Sequence, residues 1–342
     1  MLFKASNISS IILISIMIMS CNTKQLPVIE PDVITEKTLH DTDDPAIWIN
    51  HENPEQSIIF GTDKDTDGAI YAFDLDGKVI ESKTIRGLKR PNNVDIRQDF
   101  KINDSVSIDI MAFTEREREQ VRLFSIPDMQ ALDGGGFPVF QDEIEKEFRL
   151  PMGISLFKSP KDGSLYAIVG RKNGPEDDYL HQFKIEFTND QVTFTLVRKF
   201  GKYSGQKEIE AIAVDDALGF IYYSDETFGV RKYHAEPHMG NEEINIFGGD
   251  TFKRDNEGIA IVALEGTNGY IIVSNQQAET FNVFSRDTNQ FLKEINLNTK
   301  QTDGCDVVAI PLNSTFKSGL FVAMNDERNF YLYDLDKLGL EE

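Results

Sequence analysis

A unit of roughly fifty residues recurs along this chain and limits the folds that are open to it. Each unit begins with an acidic or polar residue and a short apolar strand, and a turn then leads to a second strand rich in aromatic residues. Repeats of this length with several strands each are typical of β-propellers. The repeats therefore predict an all-β, six-bladed β-propeller over residues 37–342. Their first strands are 44–48, 93–96, 152–156, 210–214, 257–261 and 306–310.

Short strands and turns account for most of the chain after His40. Turn signals such as Asp76-Gly77 and Asn268-Gly269 separate the strand-like runs, and helical periodicity is nearly absent. We expect the C-terminal run 329–335 to share a blade with the N-terminal strand and so to close the ring. A barrel of about eight to ten strands, or a double sandwich, is the alternative architecture.

The start of the chain has the pattern of a bacterial lipoprotein signal peptide. Lys4 precedes an apolar run over 8–19 that is short for a membrane span, and residues 18–21 resemble a lipobox. We predict a signal peptide over 1–20, a tether over 21–36, and a lipid on Cys21. The lipid would anchor an extracytoplasmic protein to a bacterial membrane, at its periplasmic face or at the cell surface. A plain secretory signal with an incidental cysteine is the alternative, and Cys305 has no disulfide partner in either case.

The formal net charge of −22 restricts the partners of the chain. Nonspecific nucleic-acid binding needs a basic face, so we expect no nucleic-acid partner. An anionic substrate would have to bind through local cations, either a few Lys and Arg side chains or metal ions. We expect a monomer that contacts the membrane through its lipid alone.

Acidic and polar side chains lead the first strands of most repeats. In a propeller the innermost strand of every blade starts at the same end of the central channel, so these side chains should converge on one mouth. Close carboxylates repel one another unless a cation lies among them, and calcium prefers oxygen ligands. Each acid alone would be interpreted as a solvated turn residue, but together they predict a metal site. The converging residues are Asp44, Asn93, Glu210, Glu257 and Asp306.

Four motifs resemble those of the β-propeller phytases, in the same order along the chain. They lie at 43–48, 92–97, 255–258 and 302–306, and the first two are the most specific. The resemblance extends from about His40 to the C-terminus. It implies a six-bladed, 3-phytase-like phosphoric monoester hydrolase that needs several calcium ions. Its expected substrate is phytate (inositol hexakisphosphate), bound as the calcium complex, or a related phosphate ester.

The resemblance also implies roles for individual residues. Basic groups that hold substrate phosphates are implied at Lys64, at Arg116 and at either Arg171 or Lys172, and Glu226 is implied as an acid of the reaction centre. Asp225 is an alternative to Glu226, and Glu208 is an alternative to Glu210. The implied calcium ligands and their neighbours are Asp43, Asp44, Asn93, Asp95, Glu210, Glu226, Asp255, Glu257, Gln276 and Asp306.

Two departures from the family pattern bear on the expected activity. Met152 lies where an aromatic phosphate contact is expected, so one substrate hydrogen bond should be missing. Gln301 lies near a position where the family tends to carry an acid, so one calcium should bind less tightly. These changes are compatible with a weak phytase, or with a relative that acts on another phosphate ester.

Other interpretations of the same residues stay open at this point. The spacing over 63–74 fits an EF-hand-type calcium loop, but its flanks are strands, which favours a tight acidic hairpin. A propeller lactonase or esterase would need a base beside a channel ion, and His40 is the one histidine placed for it. A non-catalytic binding propeller predicts that the acids do not converge with Lys64 and Arg116.

Overall fold

The computed structural model describes residues 26–340, and these residues form 24 strands in six antiparallel sheets of four strands each. The first strand along the chain, β1 (Val33–Ile34), belongs to the last sheet. Each of the other blades is one continuous stretch of chain. The prediction of an all-β, six-bladed propeller is therefore confirmed for the described residues.

The blades follow one another in chain order. Blade 1 contains β2 (Thr42–Trp48), β3 (Ile58–Asp63), β4 (Gly68–Phe73) and β5 (Ile85–Leu88). Blade 2 contains β6 (Pro91–Lys101), β7 (Ser107–Glu115), β8 (Gln120–Ile126) and β9 (Phe137–Pro138). Blade 3 contains β10 (Pro151–Lys158), β11 (Leu165–Arg171), β12 (Leu180–Thr188) and β13 (Gln191–Phe200).

Blade 4 contains β14 (Ile212–Asp215), β15 (Phe220–Asp225), β16 (Gly229–His234) and β17 (Asn245–Phe247). Blade 5 contains β18 (Asn256–Ala263), β19 (Gly269–Asn275), β20 (Thr280–Ser285) and β21 (Phe291–Ile295). Blade 6 contains β22 (Cys305–Val308), β23 (Leu320–Asn325), β24 (Asn329–Asp334) and β1. The helices of the described residues are short 3-10 turns at Pro54–Gln56, Glu81–Lys83, Arg116–Arg118, Lys146–Arg149, Pro237–Met239, Gly249–Thr251, Gln276–Ala278 and Leu335–Leu338.

The first strands of the blades surround a central channel. β2, β6, β10, β14, β18 and β22 contact one another in this order, and β22 contacts β2 to close the ring. The cavity that they enclose has a volume of about 350 Å³. Its lining includes Asp44, Asp95, Arg97, Asp216 and Asp306. The acidic motifs of the sequence thus lie on the channel, as the repeat pattern predicts.

The core consists of apolar layers between neighbouring blades. Between blades 2 and 3, for example, Ile110 and Leu123 pack in one buried cluster with Leu156 and Val169. Comparable clusters fill the other blade interfaces. Each face of a blade is apolar because both faces are covered, which explains the short continuous apolar runs of the sequence. The polar groups are left for the channel and its mouths.

β1 closes the ring by pairing with β24, where Val33 lies opposite Leu332 and Ile34 opposite Tyr331. The prediction that the run 329–335 shares a blade with the N-terminal strand is confirmed. The tether predicted over 21–36 is wrong for its last part. Backbone N–H groups of Ile29 and Asp32 also bond to the propeller, so this segment adds hydrogen bonds to a sheet edge.

The lipoprotein signal predicted over 1–20, with Cys21, lies outside the described residues. Within residues 26–340, no helix has the length and the apolar character that a membrane crossing requires.

Four of the first strands carry a register shift at their beginning, at the acidic and polar motifs. The shifts lie between Thr42 and Pro45 in β2, and at the corresponding places in β6, β10 and β18. A β-bulge inserts one extra residue and changes the direction of the side chains around it. Asp43 and Asp44, although adjacent in sequence, therefore meet different partners.

Candidate active site at the channel mouth

Lys64 lies at the centre of a group of carboxylates at the mouth where the first strands begin. Its Nζ is 2.8 Å from Asp43 Oδ1, 3.3 Å from Asp303 Oδ2 and 3.9 Å from Glu210 Oε1. Asn92 donates hydrogen bonds to the same acids, at 2.9 Å to Asp43 and 2.5 Å to Glu210. These side chains come from blades 1 and 2 and from the segments before blades 4 and 6, so the closure of the ring assembles the group.

Arg116 reaches the same mouth from the end of β7. Its Nη2 lies 3.9 Å from Glu210 Oε1, so Glu210 stands between two basic side chains. Arg116 also contacts the sulfur of the buried Met152, and its Nε has no hydrogen-bond partner. Burial lowers the pKa of Arg116, although Glu210 opposes this shift. A buried guanidinium with an unused N–H is a ready donor for an anionic oxygen.

Lys207 organises a second group of acids on the other side of the mouth. Its Nζ forms ion pairs with Glu226, with Asp255 Oδ2 at 2.8 Å and with Glu257 Oε1 at 3.4 Å. The three carboxylates are almost wholly buried. Gln277 also donates to Asp255, at 2.7 Å. The mouth therefore holds two groups of acids, each around one lysine.

The acids of the mouth are close enough to share a metal ion. Within residues 26–340, two sets of three acids each place one oxygen within 4.8 Å of the others. Glu226 belongs to both sets, so the two groups are continuous. Oxygen atoms of Glu226, Asp255 and Glu257 are buried without a hydrogen-bond partner, which is costly unless a further cation is present. The two sets are Glu208, Glu210 and Glu226, and Glu226, Asp255 and Glu257.

The acids of the mouth differ in their protonation. Burial raises the pKa of Glu226 to about 8, although Lys207 opposes the shift. Burial and the neighbouring Glu226 both raise the pKa of Glu257 well above its usual value. Burial would raise the pKa of Glu210 as well, but Lys64 and Arg116 together lower it. The two basic neighbours of Glu210 therefore favour its charged form, whereas burial favours the neutral forms of Glu226 and Glu257 and Lys207 opposes that effect.

Four of the predicted calcium ligands lie further along the channel, apart from the mouth groups. Asp44, Asp95 and Asp306 each accept a backbone N–H from the neighbouring first strand, at 3.0, 2.7 and 2.8 Å. Asn93 Oδ1 has no hydrogen-bond partner. Burial raises the pKa of Asp306 to about 7. The prediction of one shared cluster is thus corrected, because these acids bridge the blades inside the channel.

The side chains of Arg171 and Lys172, the two candidates for one phosphate-binding group, have different surroundings. Arg171 is fully buried, pairs with Glu143 at 2.6 Å and stacks on Phe140, and both of these residues lie in the segment between β9 and β10. Lys172 is 44% exposed and pairs with Glu208 at 2.7 Å, beside the mouth. The prediction of a phosphate-binding role for Arg171 is corrected, since its side chain is buried between blade 3 and the segment that precedes it. Lys172 is the basic group that lies with the acids.

The side chains of Asp225 and Glu226, which are alternatives for one predicted role, have different partners. The Asp225 carboxylate accepts hydrogen bonds from Ser204 and forms an ion pair with Arg231 at 2.8 Å, inside blade 4. Glu226 faces Lys207 at the mouth. Gln276 joins the first group, since its Nε2 donates to Asp303 Oδ1 at 2.6 Å.

The loop over 63–74 is the tight acidic hairpin between β3 and β4. The Asp63 carboxylate is buried and accepts hydrogen bonds from His40 and from the backbone N–H of Asp41. Asp65 accepts a hydrogen bond from the N–H of Asp67. Asp63 and Asp65 are thus used in hydrogen bonds within the protein, whereas the Lys64 side chain extends from the loop to the mouth.

Three residues of the mouth were missed by the sequence reasoning. Asp303 lies within a recognised motif, whose Asp-Gly pair was the available signal. Asn92 immediately precedes Asn93, which is one of the predicted calcium ligands. Lys207 lies in the segment between β13 and β14 and carries no motif, so no signal in the sequence pointed to it.

Other proteins are similar to this chain in sequence or in structure. The chain is 29% identical over 300 residues to a 3-phytase of Bacillus subtilis (strain 168), which covers 83% of this chain and 74% of that protein. Two solved structures share 13% identity. The WD40 β-propeller domain of Doa1 has a TM-score of 0.49 and covers 84% of this chain and 77% of its own. The computationally designed Ika8 protein has a TM-score of 0.44, with coverages of 88% and 70%.

These two structural likenesses are weak, and the fold assignment rests on the strand pairing described above. The family comparison is stronger, because a sequence model of the family described as Phytase matches residues 6–331. The chain belongs to the phytase family, and it is a phosphoric monoester hydrolase of that family.

Proposed function

We propose that this member of the phytase family releases inorganic phosphate from phytate, or from a related phosphate ester, in a calcium-dependent reaction at the channel mouth. The observation that carries the proposal is the position of Glu210. Its carboxylate lies within 3.9 Å of both Lys64 Nζ and Arg116 Nη2. Basic groups for phosphate and acids for a metal thus meet at one place.

The residues of the mouth fit calcium by their chemistry. Calcium takes six to eight oxygen ligands, mostly carboxylates and carbonyls, with flexible geometry. The two overlapping sets of acids supply carboxylates from Glu208, Glu210, Glu226, Asp255 and Glu257. Buried oxygens among them lack hydrogen-bond partners, so a cation would find unused ligand atoms. Gln276 and Asp303 complete the donor set.

Phosphate-ester hydrolysis needs neutralised phosphoryl charge and a water positioned for in-line attack. Calcium ions supply charge neutralisation and water activation when they are bound. Lys64, Arg116 and Lys172 bind and orient phosphoryl oxygens, which a chain of net charge −22 would otherwise repel. The substrate would enter as its calcium complex for the same reason.

The position of Glu210 favours this function over the two alternatives. A non-catalytic binding propeller predicts that the acids stay apart from Lys64 and Arg116, whereas Glu210 lies near both. A lactonase needs a base beside a channel ion. His40, the histidine considered for that role, pairs with Asp63 at 2.9 Å.

Phosphate release from phytate by the purified protein, in calcium and in excess chelator, tests the proposal. We expect release with calcium and none with chelator. The melting temperature should also fall by several degrees in chelator, because the buried acids repel one another without metal. Magnesium should restore it poorly, since the sites offer many ligands at longer bonds. Equal phosphate release with and without chelator would contradict calcium dependence.

We further propose that a lipid on Cys21 holds the protein at the outer side of a bacterial membrane, and that its soluble domain is a monomer. The pattern over 18–21 supports the anchor. Cys21→Ser should abolish lipid labelling and move the protein to the soluble fraction, with unchanged activity per molecule. A soluble, unlabelled wild-type protein would contradict the anchor. Light scattering of the soluble form tests the monomer.

A further inference from the structure

Lys207 lies where the acids of the mouth would hold a metal ion. Its Nζ forms ion pairs with Glu226, Asp255 and Glu257. The same three acids place one oxygen each within 4.8 Å of one another and so form a metal-sized site. An ammonium group and a metal ion cannot both occupy this position. The two cations therefore exclude each other.

The Lys207 ammonium does not satisfy the three acids. Glu257 is 2% exposed, and its Oε2 has no hydrogen-bond partner. The same holds for Glu226 Oε1, and Asp255 Oδ1 has only the Arg254 guanidinium near it, with Nε at 3.7 Å. A lysine carries one positive charge and three donors, whereas calcium carries two charges and accepts more ligands. The unused buried oxygens point to a second, more highly charged occupant.

The side chain of Lys207 is free to leave, and its backbone is held. The Tyr203 hydroxyl donates a hydrogen bond to the Lys207 carbonyl, which fixes the segment before β14. The Lys207 side chain is 35% exposed, compared with 12% for Lys64 in the first group. Lysine has a flexible four-carbon stem, so its ammonium can move without the backbone.

We propose that Lys207 is a displaceable internal cation, which pairs with Glu226, Asp255 and Glu257 in the metal-free protein and leaves them when a divalent ion enters. This inference rests on the proposed calcium dependence and deepens it. Lys207 stabilises the buried acids when calcium is scarce. It also weakens calcium binding at this site, because an occupied site binds a second cation only in the fraction of molecules where it is free.

Calcium binding by three variants of the full chain tests this role. Lys207→Met should tighten the calcium dissociation constant of one site by about tenfold or more. Lys207→Arg keeps a cation on a long side chain and should bind calcium much less tightly than Lys207→Met. Lys253→Met is the matched control, since this lysine lies in the neighbouring loop and donates to the carbonyl of Gln277. It should leave the affinity unchanged.

The affinities are measured by competition with a chromophoric chelator, starting from the calcium-loaded protein. This order keeps the test valid if Lys207→Met unfolds without calcium. Calcium should also raise the labelling of Lys207 by an amine-reactive reagent relative to Lys253, as read by mass spectrometry. The two readouts are independent of phosphate release.

The outcomes separate this inference from the proposed function. If the wild type and Lys207→Met bind calcium with the same affinity, the proposed role of Lys207 is overturned and the proposed calcium site stands. Labelling of Lys207 that does not respond to calcium would likewise overturn the displacement. No calcium binding by the wild type or by either Lys207 variant would overturn both proposals.

Discussion

Neighbouring residues at the end of β11 have opposite surroundings, and this decides their roles. Arg171 is buried and pairs with Glu143, whereas Lys172 is exposed beside Glu208. Successive side chains of a strand point to opposite faces, so only one of two adjacent basic residues can face the mouth. A shift of one residue in an alignment therefore exchanges a buried structural residue for the proposed substrate contact.

Substitution of these two residues separates stability from activity. Lys172→Met should lower phosphate release from phytate by about tenfold or more, because a phosphate contact is lost, with little change in melting temperature. Arg171→Met should lower the free energy of unfolding by about 3 kcal/mol, because buried partners lose their cation. Urea unfolding and phosphate release measure the two effects. Exchange of the two phenotypes would show that Arg171, and not Lys172, contacts substrate.

His181 gives the protein a specific sensitivity to acid. Burial and the nearby Arg171 and Lys199 lower its pKa to about 3. Between pH 6.5 and about 3 the unfolded chain binds a proton here and the folded chain does not, so stability falls as the pH falls. The slope from one proton is up to about 1.4 kcal/mol per pH unit. His181→Gln should flatten the pH dependence of urea unfolding below pH 6.5. The same change at the exposed His51 should not, and equal slopes in the two variants would contradict the assignment.

The sequence allowed most residues of the mouth to be predicted, but not the partners of each. Glu210, Glu226, Asp255 and Glu257 were predicted because each lies at a recognisable position of a repeat or motif. Lys207 was missed because a lysine in an irregular segment has no periodicity to mark it. Its role depends on three acids from two other segments of the chain, and only the folded ring brings them together.

Among the elements, the first strands carry both the site and the connections between blades. Their number and order follow from the repeat, which is a property of the sequence. Their bulges do not, because a bulge is a mismatch between two paired strands and depends on both of them. The bulge of β2 separates Asp43, at the mouth, from Asp44, inside the channel. The residues that were predicted to form one cluster are therefore divided between the mouth and the channel.

A close approach of blades 3 and 4 fixes the position of Glu210. A Cβ on Gly153 would lie 1.9 Å from the carbonyl oxygen of Glu210, which is backbone and cannot move alone. Gly153→Ala should therefore lower the free energy of unfolding by about 1–3 kcal/mol and reduce phosphate release, because Glu210 is displaced.

Gly170→Ala is the matched control for this change. The nearest atom to its added Cβ is a side-chain carbon at 3.3 Å, so the space exists after a small adjustment. Thermal unfolding and phosphate release are measured for both variants. Equal behaviour of Gly153→Ala and the wild type would show that the two blades are not fixed by this contact.

At the scale of the whole molecule, the closing blade makes the N-terminal segment part of the fold. A chain that starts at residue 37 lacks β1 and the backbone hydrogen bonds of Ile29, Asp32 and Thr35. It should melt about 5 °C or more below a chain that starts at residue 26, because the edge of β24 is left unpaired. Calorimetry of the two chains at saturating calcium measures the difference. Equal melting temperatures would show that β1 is dispensable.

The closing blade also imposes an order in time. β1 is among the first parts of the propeller to be synthesised and β24 is among the last, so their pairing waits for nearly the whole chain. Until then the apolar layer between blades 6 and 1 has only one of its two sides. Pairings between such distant segments form slowly, and the incomplete ring exposes apolar surface and strand edges to proteases and to other chains. A chain of this topology is therefore most vulnerable in the interval before its last strand pairs with β1.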